Sequence, residues 1–261
     1  MVAWNEPREI TVAMKAGLRF GGKGTHTSRT MMLAELEELL GAFPAETPRA
    51  RYRAAIVEDN VLGKATEATR RLTSQRLGEL YGLDPSLRLF RAFRRAWSAD
   101  QAGRPLCALL CALARDPLLR STAHAVLGLP EGAELVRTSF LNAIRSAVGD
   151  RMNESVLDKV ARNAASTWCQ SGHLEGRVRK IRRRVAPTPG ALALALWLGS
   201  LEGLAGEHLL ASRWAQVLDR SPRELEPAVL RAKQLGLITA RIGGGTTEID
   251  ASDLDVLRPE R

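Results

Sequence analysis

The sequence predicts a mainly α protein, made of helical domains with tandem winged-helix or helix-turn-helix units and short β-hairpin wings. Three observations lead there. Apolar residues recur at spacings of three and four through most of the 261 residues, as they do in helices with one buried face. Near the C-terminus, three helix-like segments run into a glycine-tipped hairpin pattern between Thr239 and Asp250. Between Arg177 and Arg184 the chain reads Arg-Val-Arg-Lys-Ile-Arg-Arg-Arg, six positive charges in eight residues with no carboxylate. That run follows a helix-like segment, Asn153 to Leu174, and a tight Ser171-Gly172 turn, the order expected of a helix followed by a basic wing.

Taken in order, Glu9 to Lys15 reads as a short strand or extended arm. A glycine-rich loop, Phe20 to Ser28, follows, and Ser28 or Thr27 suits the cap of a helix carrying Met32, Leu33, Leu36, Leu39 and Leu40. Pro48 fits the first turn of a second helix with Tyr52, Ala55 and Ile56 inward. After a turn at Asn60 to Thr66, Thr66 caps a third helix, with Leu72, Leu77 and Leu80 apolar and Arg70, Arg71 and Arg76 basic. Three helices on short turns resemble a helix-turn-helix unit.

From residue 86 to 128 the pattern is again helical. Leu89, Phe90, Phe93 and Trp97 form an apolar stripe, and Arg88, Arg91, Arg94 and Arg95 a basic one that reads as a solvated face. A helix is expected over Glu134–Val148. Another is expected over Val156–Gln170, capped by Ser155, with Val156, Leu157, Val160, Ala164 and Trp168 inward and Lys159, Arg162, Asn163 and Ser166 outward. These outward types suit phosphate oxygens and base edges, and are equally ordinary on a surface. The uncharged run Ala186–Leu201 is short for a membrane span and contains Pro187, Pro189, Gly190 and Gly199, so it reads as a core helix. Trp197, Leu201, Leu209, Leu210, Trp214 and Leu218 mark two packed helices, Ser221-Pro222 starts a third, and the hairpin closes a second winged-helix pattern. The expected division is a helix-turn-helix-like domain at 1–100, a middle helical domain with a basic wing at 101–186, and a C-terminal winged helix at 187–261.

Charge narrows the partners. The net charge is +9, and it is uneven. Residues 145–185 hold ten Lys/Arg against four Asp/Glu, and residues 48–95 hold eleven against five, a net of +6 in each. Residues 206–261 hold eight against nine, a net of −1. Two blocks of one sign favour a long polyanion over a small acidic metabolite. The candidate DNA contacts are Lys159, Arg162, Asn163, Arg177, Arg179, Lys180, Arg182, Arg183 and Arg184, with Lys64, Arg70 and Arg71 as a second contact. The basic run would serve equally as a solvated strand. RNA is a weaker expectation, because the five Phe, two Tyr and five Trp lie mostly on apolar stripes rather than where unpaired bases would stack.

The three cysteines, Cys107, Cys111 and Cys169, predict no disulfide framework and no metal site, since no further Cys or His stands at ligand spacing. Met1 to Pro7 holds no basic stretch leading into an apolar run, so no signal peptide is expected and the chain reads as reduced and cytoplasmic. Gly17 to Thr25 approaches a phosphate-binding loop, but Gly24 stands where the hydroxyl should follow Lys23, and no strand ending in Asp follows. The four histidines are scattered, and no nucleophile elbow, nuclease carboxylate pair or deaminase signature is present. No catalytic residues and no cofactor are expected.

Three stretches taken together carry a family resemblance: the loop and helix Gly17–Leu40, the segment Glu58–Leu72 with Asn60, Lys64, Thr66, Thr69, Arg70 and Arg71, and the pair Asn153–Asn163 and Gln170–Leu174. In this order, over roughly residues 10–185, they resemble the A protein of the BREX bacteriophage-exclusion systems, a family of small helical DNA-binding accessory proteins. The resemblance implies a non-catalytic bacterial cytoplasmic protein of phage defence that binds double-stranded DNA, mainly through phosphates, with other phage-defence proteins as partners. The alternative is a helical scaffold that docks such proteins through its C-terminal winged helix.

Overall fold

The computed structural model describes residues 10–21, 23–243 and 246–256. Its helices are α1 (Ile10–Ala16), α2 (Leu33–Gly41), α3 (Arg49–Val57), α4 (Glu67–Tyr81), α5 (Arg88–Ala99), α6 (Arg104–Arg115), α7 (Pro117–Ser121), α8 (Ala123–Leu127), α9 (Arg137–Val148), α10 (Glu154–Gln170), α11 (Pro189–Ser200), α12 (Arg213–Gln216) and α13 (Pro222–Gln234). Two small antiparallel sheets complete the described residues: β1 (Leu174–Glu175) with β2 (Ile181–Arg182), and β3 (Thr239–Gly243) with β4 (Thr246–Asp250). The protein is mainly α.

Two helices form the centre because their sequences leave no polar face to expose. In α6 every residue from Leu106 to Ala114 is buried, and in α11 every residue from Gly190 to Gly199. Burial pushes the Cys111 thiol up to about 12, as expected of an inert core cysteine. Around this centre α5 contributes an aromatic face. Phe93 lies 5.4 Å from Trp97 and 5.6 Å from Tyr81, and Phe90 meets Tyr52 of α3 edge-on at 5.9 Å. Such ring pairs add about 0.5–1.5 kcal/mol each beyond the area they bury.

Helix ends follow local chemistry where the cap is local. The Thr66 hydroxyl accepts from the Thr69 amide at 3.2 Å, and Ser221 with Glu224 forms a reciprocal capping box. Asp116 caps α7 by accepting from Leu118 and Leu119. Asn153, not Ser155, caps α10, accepting from Val156 at 3.0 Å, so the helix starts two residues earlier than expected.

Other expectations are corrected. The strand expected at Glu9–Lys15 is helix α1; Glu9 lies outside the described residues. The helix expected from Ser28 begins at Leu33, after a 3-10 turn at Thr25–Thr27. The amides at its start are satisfied from across the molecule: Met31, just before the N-cap, by Thr167 Oγ1 at 2.8 Å, and Leu33 by Gln170 Oε1 at 3.3 Å. Residues 132–135 are extended rather than helical, and pair with β2 through Leu135 N to Lys180 O and Arg182 N to Ala133 O. The β3–β4 hairpin forms as expected, with Thr239 opposite Asp250; its tip residues Gly244 and Gly245 lie outside the described residues.

The basic stripe of α5 is not a solvated face. Arg88 pairs with Asp255, and Arg91 donates to Asp255 O at 2.6 Å. Arg94 donates to the carbonyls of Leu40 and Phe43, and Arg95 to those of Asp253 and Gly236. The stripe is the seat of the Ser252–Asp255 turn. Since α11 also packs on α5 and α6, apolar contacts cross both expected domain boundaries and join one continuous core.

Candidate nucleic-acid interface

Helix α10 is held by polar contacts that fix its roll as well as its position. Leu157, Val160, Ala164 and Trp168 face the core, and the Trp168 indole donates to Thr122 Oγ1 at 2.8 Å. Behind them lies a network whose His26, Asp116 and Thr167 are buried. His26 Nδ1 contacts Asp116 Oδ2 at 2.8 Å, His26 Nε2 contacts Thr167 Oγ1 at 2.8 Å, and Asn163 donates to His26 O at 2.8 Å. Burial pushes the Asp116 carboxyl up, but the adjoining His26 and the amides that donate to it outweigh this and leave it lower than usual. An Asp-His-Thr relay has the composition of a hydrolytic site, yet His26 and Thr167 are 0% exposed, so its work is to lock the glycine loop against α7 and α10.

The outward face of α10 presents Lys159 and Arg162. Its two carboxylates are neutralised from α9: Arg145 pairs with Glu154 at 2.7 Å, and Arg137 with Asp158 at 2.6 Å. The hydrogen bond from Arg137 holds the Asp158 carboxyl below its ordinary range. What remains on this face is Lys159 and Arg162, neither with an ion pair of its own among the described residues, with Arg162 donating to Asp158 O at 3.4 Å.

The basic run then divides by burial at the two-residue strand β2, where only Arg182 turns inward. Arg177, Arg179, Arg183 and Arg184 point outward with Val178 exposed between the first two; Arg182 points inward and is 2% exposed. Its guanidinium donates to Val126 O at 3.0 Å, to the carbonyls of His173 and Arg183, and bidentately to Asp219. Asp219 also accepts from the Val185 amide at 3.0 Å. The expectation of six outward charges is therefore corrected: Arg182 is a structural cation, because a buried charge must be paired and hydrogen-bonded to be tolerated. Of the others, Arg179 pairs with Glu134 at 2.7 Å and Arg183 with Glu175 at 2.6 Å, both exposed pairs of little strength. Lys180 reaches Gly176 O, Arg184 lies near Glu224, and Arg177 has no hydrogen bond or ion pair among the described residues. No family model and no curated protein sequence matches the chain.

The remaining expected residues are placed differently. Asn163 is half-buried and its amide is spent on His26. Lys64 pairs with Glu35 at 3.0 Å, Arg71 pairs with Glu67 one turn away, and Arg70 is half-buried with its Nε enclosed. They lie on α4 and the turn before it, and no contact joins α4 to α10 or to the basic hairpin among the stronger element contacts. In the glycine loop, Gly22 lies outside the described residues, Thr25 donates to Glu79 at 2.8 Å, and Gly24 packs so tightly on Asp116 that a Cβ there would sit 2.1 Å from its Oδ1. Sequence reading missed Arg137 and Arg145, whose only signal is their place on the helix preceding α10.

Proposed function

We propose that the chain binds double-stranded DNA without catalysis, mainly through phosphates, as an accessory protein of a BREX-like bacterial phage-defence system. The observation that carries this reading is that α10 packs directly against strand β1 of the basic hairpin, so their exposed cations belong to adjoining elements. Helices α7–α8, an extended segment at 132–135, helices α9 and α10, and the β1–β2 hairpin follow the order of a winged helix. In that reading α10 is the helix offered to a groove and residues 175–181 are the wing. Lys159, Arg162, Arg177, Lys180 and Arg184 supply five cations without a salt bridge among the described residues, and Arg179 and Arg183 exchange exposed partners at little cost. Five phosphate contacts give a slope of log affinity against log salt of about −4 to −5 by counterion release.

The test is a gel shift with random-sequence duplex at two salt concentrations, comparing the intact protein with K159A/R162A, R177A/R184A and R182A. The first two are expected to lose about tenfold or more in affinity, with stability unchanged, since each phosphate contact is electrostatic and exposed. R182A is expected to lose about 3–5 kcal/mol of stability, because it strands the buried Asp219. Salt-independent binding, or binding indifferent to K159A/R162A and R177A/R184A, would refute the reading.

A second reading, a scaffold that docks other phage-defence proteins, draws on the C-terminal helices and hairpin. There Leu230 is 51% and Leu235 40% exposed, and the hairpin mixes Arg241 with Glu248 and Asp250. A partner retained at high salt and lost on L230S/L235S would favour it.

A further inference from the structure

On the side of the molecule carrying α3 and α4, a cleft of about 560 Å³ is lined by Arg19, Arg49, Arg53, Arg71, Arg115 and a single carboxylate, Glu79. Glu79 does not neutralise them. Its two oxygens are taken by Arg76 at 2.7 Å, Thr25 at 2.8 Å and Gln75 at 2.9 Å. Arg115 is anchored entirely on carbonyls, its Nε on Glu79 O at 2.9 Å and its terminal nitrogens on Gly17 O and Gly78 O. Arg19 reaches only the same Glu79 carbonyl, at 3.5 Å. Arg49 and Arg53 stand one turn apart on α3, exposed, with no hydrogen bond or ion pair among the described residues. Like charges at that spacing repel, and here they do so beside two more guanidinium groups. Burial pulls the Arg115 pKa down; Cys111 and Glu79 oppose this, while Arg19 and Arg49 add to it.

We propose that this cleft is a binding site for a small oligophosphate, a chain of two or three phosphoryl groups. Arg115, anchored on carbonyls, keeps its charge while its geometry is fixed, and Arg49 and Arg53 line the same cleft without partners of their own among the described residues, a donor set that phosphate oxygens fit. The cleft falls within the roughly 300–1,000 Å³ span of small-molecule sites, whereas duplex DNA is met by open, convex surfaces such as a helix and hairpin. Its aromatic lining residue, Tyr52, is 1% exposed, so the site reads charge and offers no platform for a base. This assignment does not depend on DNA binding by α10 and the wing.

The experiment is calorimetric titration of the full chain with tripolyphosphate, beside R49Q/R53Q and, as a control removing the same charge elsewhere, R177Q/R184Q. Arg49, Arg53, Arg177 and Arg184 are exposed, so both variants are expected to fold, and a thermal melt of each without ligand checks it. Saturable binding is expected, weakened about tenfold or more in R49Q/R53Q and changed less than about twofold in R177Q/R184Q, because fixed charge-assisted contacts are local. Duplex-DNA affinity is expected to follow the opposite order. Absence of saturable binding by the intact chain, or equal weakening in both variants, overturns the proposal. So does a loss of duplex affinity in R49Q/R53Q without tripolyphosphate binding, which would make the cleft a nucleic-acid contact.

Discussion

His173 occupies a position where its charged form is penalised. It is fully buried between α10 and the turn before α13, with Nε2 donating to Val217 O at 2.7 Å and Nδ1 meeting Ser171 at 2.9 Å. Burial lowers its pKa from 6.5 to about 4; the attraction of Asp219 opposes this, and Arg182 adds to it. A group depressed in the fold binds its proton more readily when unfolded, so its contribution is intact above pH 6.5 and is lost as pH falls toward 4. The shift corresponds to about 3 kcal/mol across that window, at about 1.4 kcal/mol per unit. Denaturant unfolding at pH 7 and pH 4.5 is expected to show that loss, and H173Q to show a shallower pH dependence from a lower starting stability. An identical slope in the two proteins would remove His173 from this role.

Helix α5 shows how an element's charge pattern acquires meaning from a distant segment. Arg88, Arg91 and Arg95 are taken up by carbonyls and a carboxylate of residues 236–255, so R91A/R95A is expected to loosen the Ser252–Asp255 turn by roughly 1.5–3 kcal/mol per charged hydrogen bond set lost. Hydrogen exchange of residues 252–256 should speed up accordingly, with duplex affinity unmoved; protection at the level of the unaltered chain would refute it. From sequence, the stripe at spacings of three and four is indistinguishable from a solvent face, because nothing local says what lies over it. The same limit hid the start of α2, whose amides are capped by Thr167 and Gln170 from more than a hundred residues away. Elements whose determinants are local were legible. Thr66 and Ser221-Pro222 mark their helices, α11 is core because it has no polar face, and β3–β4 flanks its glycines. Of the candidate site, Lys159, Arg162 and the outward half of the basic run were legible as charge. The inward turn of Arg182 was not, since a two-residue strand gives no alternation long enough to read.

At the scale of the whole molecule, α11 decides how the chain divides. Its residues Gly190 to Gly199 are buried against α5, α6, α12 and α13, and Gly190 donates to Asp100 at 2.8 Å with no room for a side chain. A chain cut after Ala186 leaves the surfaces of α5 and α6 that pack on α11 without cover. It is expected to lose the near-ultraviolet circular dichroism of Trp97 and to bind hydrophobic dyes, as a loosely packed state does. Cooperative melting of residues 1–186 with native-like tryptophan signals would show instead that the first two segments stand alone. No helix among the described residues is long and apolar enough to cross a membrane.

The inward arginine of the basic hairpin also sets two regimes of sequence drift within eight residues. At Arg177, Arg179, Arg183 and Arg184 a lysine preserves the charge on which a diffuse electrostatic surface depends. At Arg182 it does not suffice, because one ammonium cannot replace a planar fork shared among Asp219 and three backbone carbonyls. Descendants of this chain are thus free to exchange Arg for Lys along the rim of the hairpin while holding one position constant. A tally of positive charge would register every such exchange as silent, including the one that unseats the core.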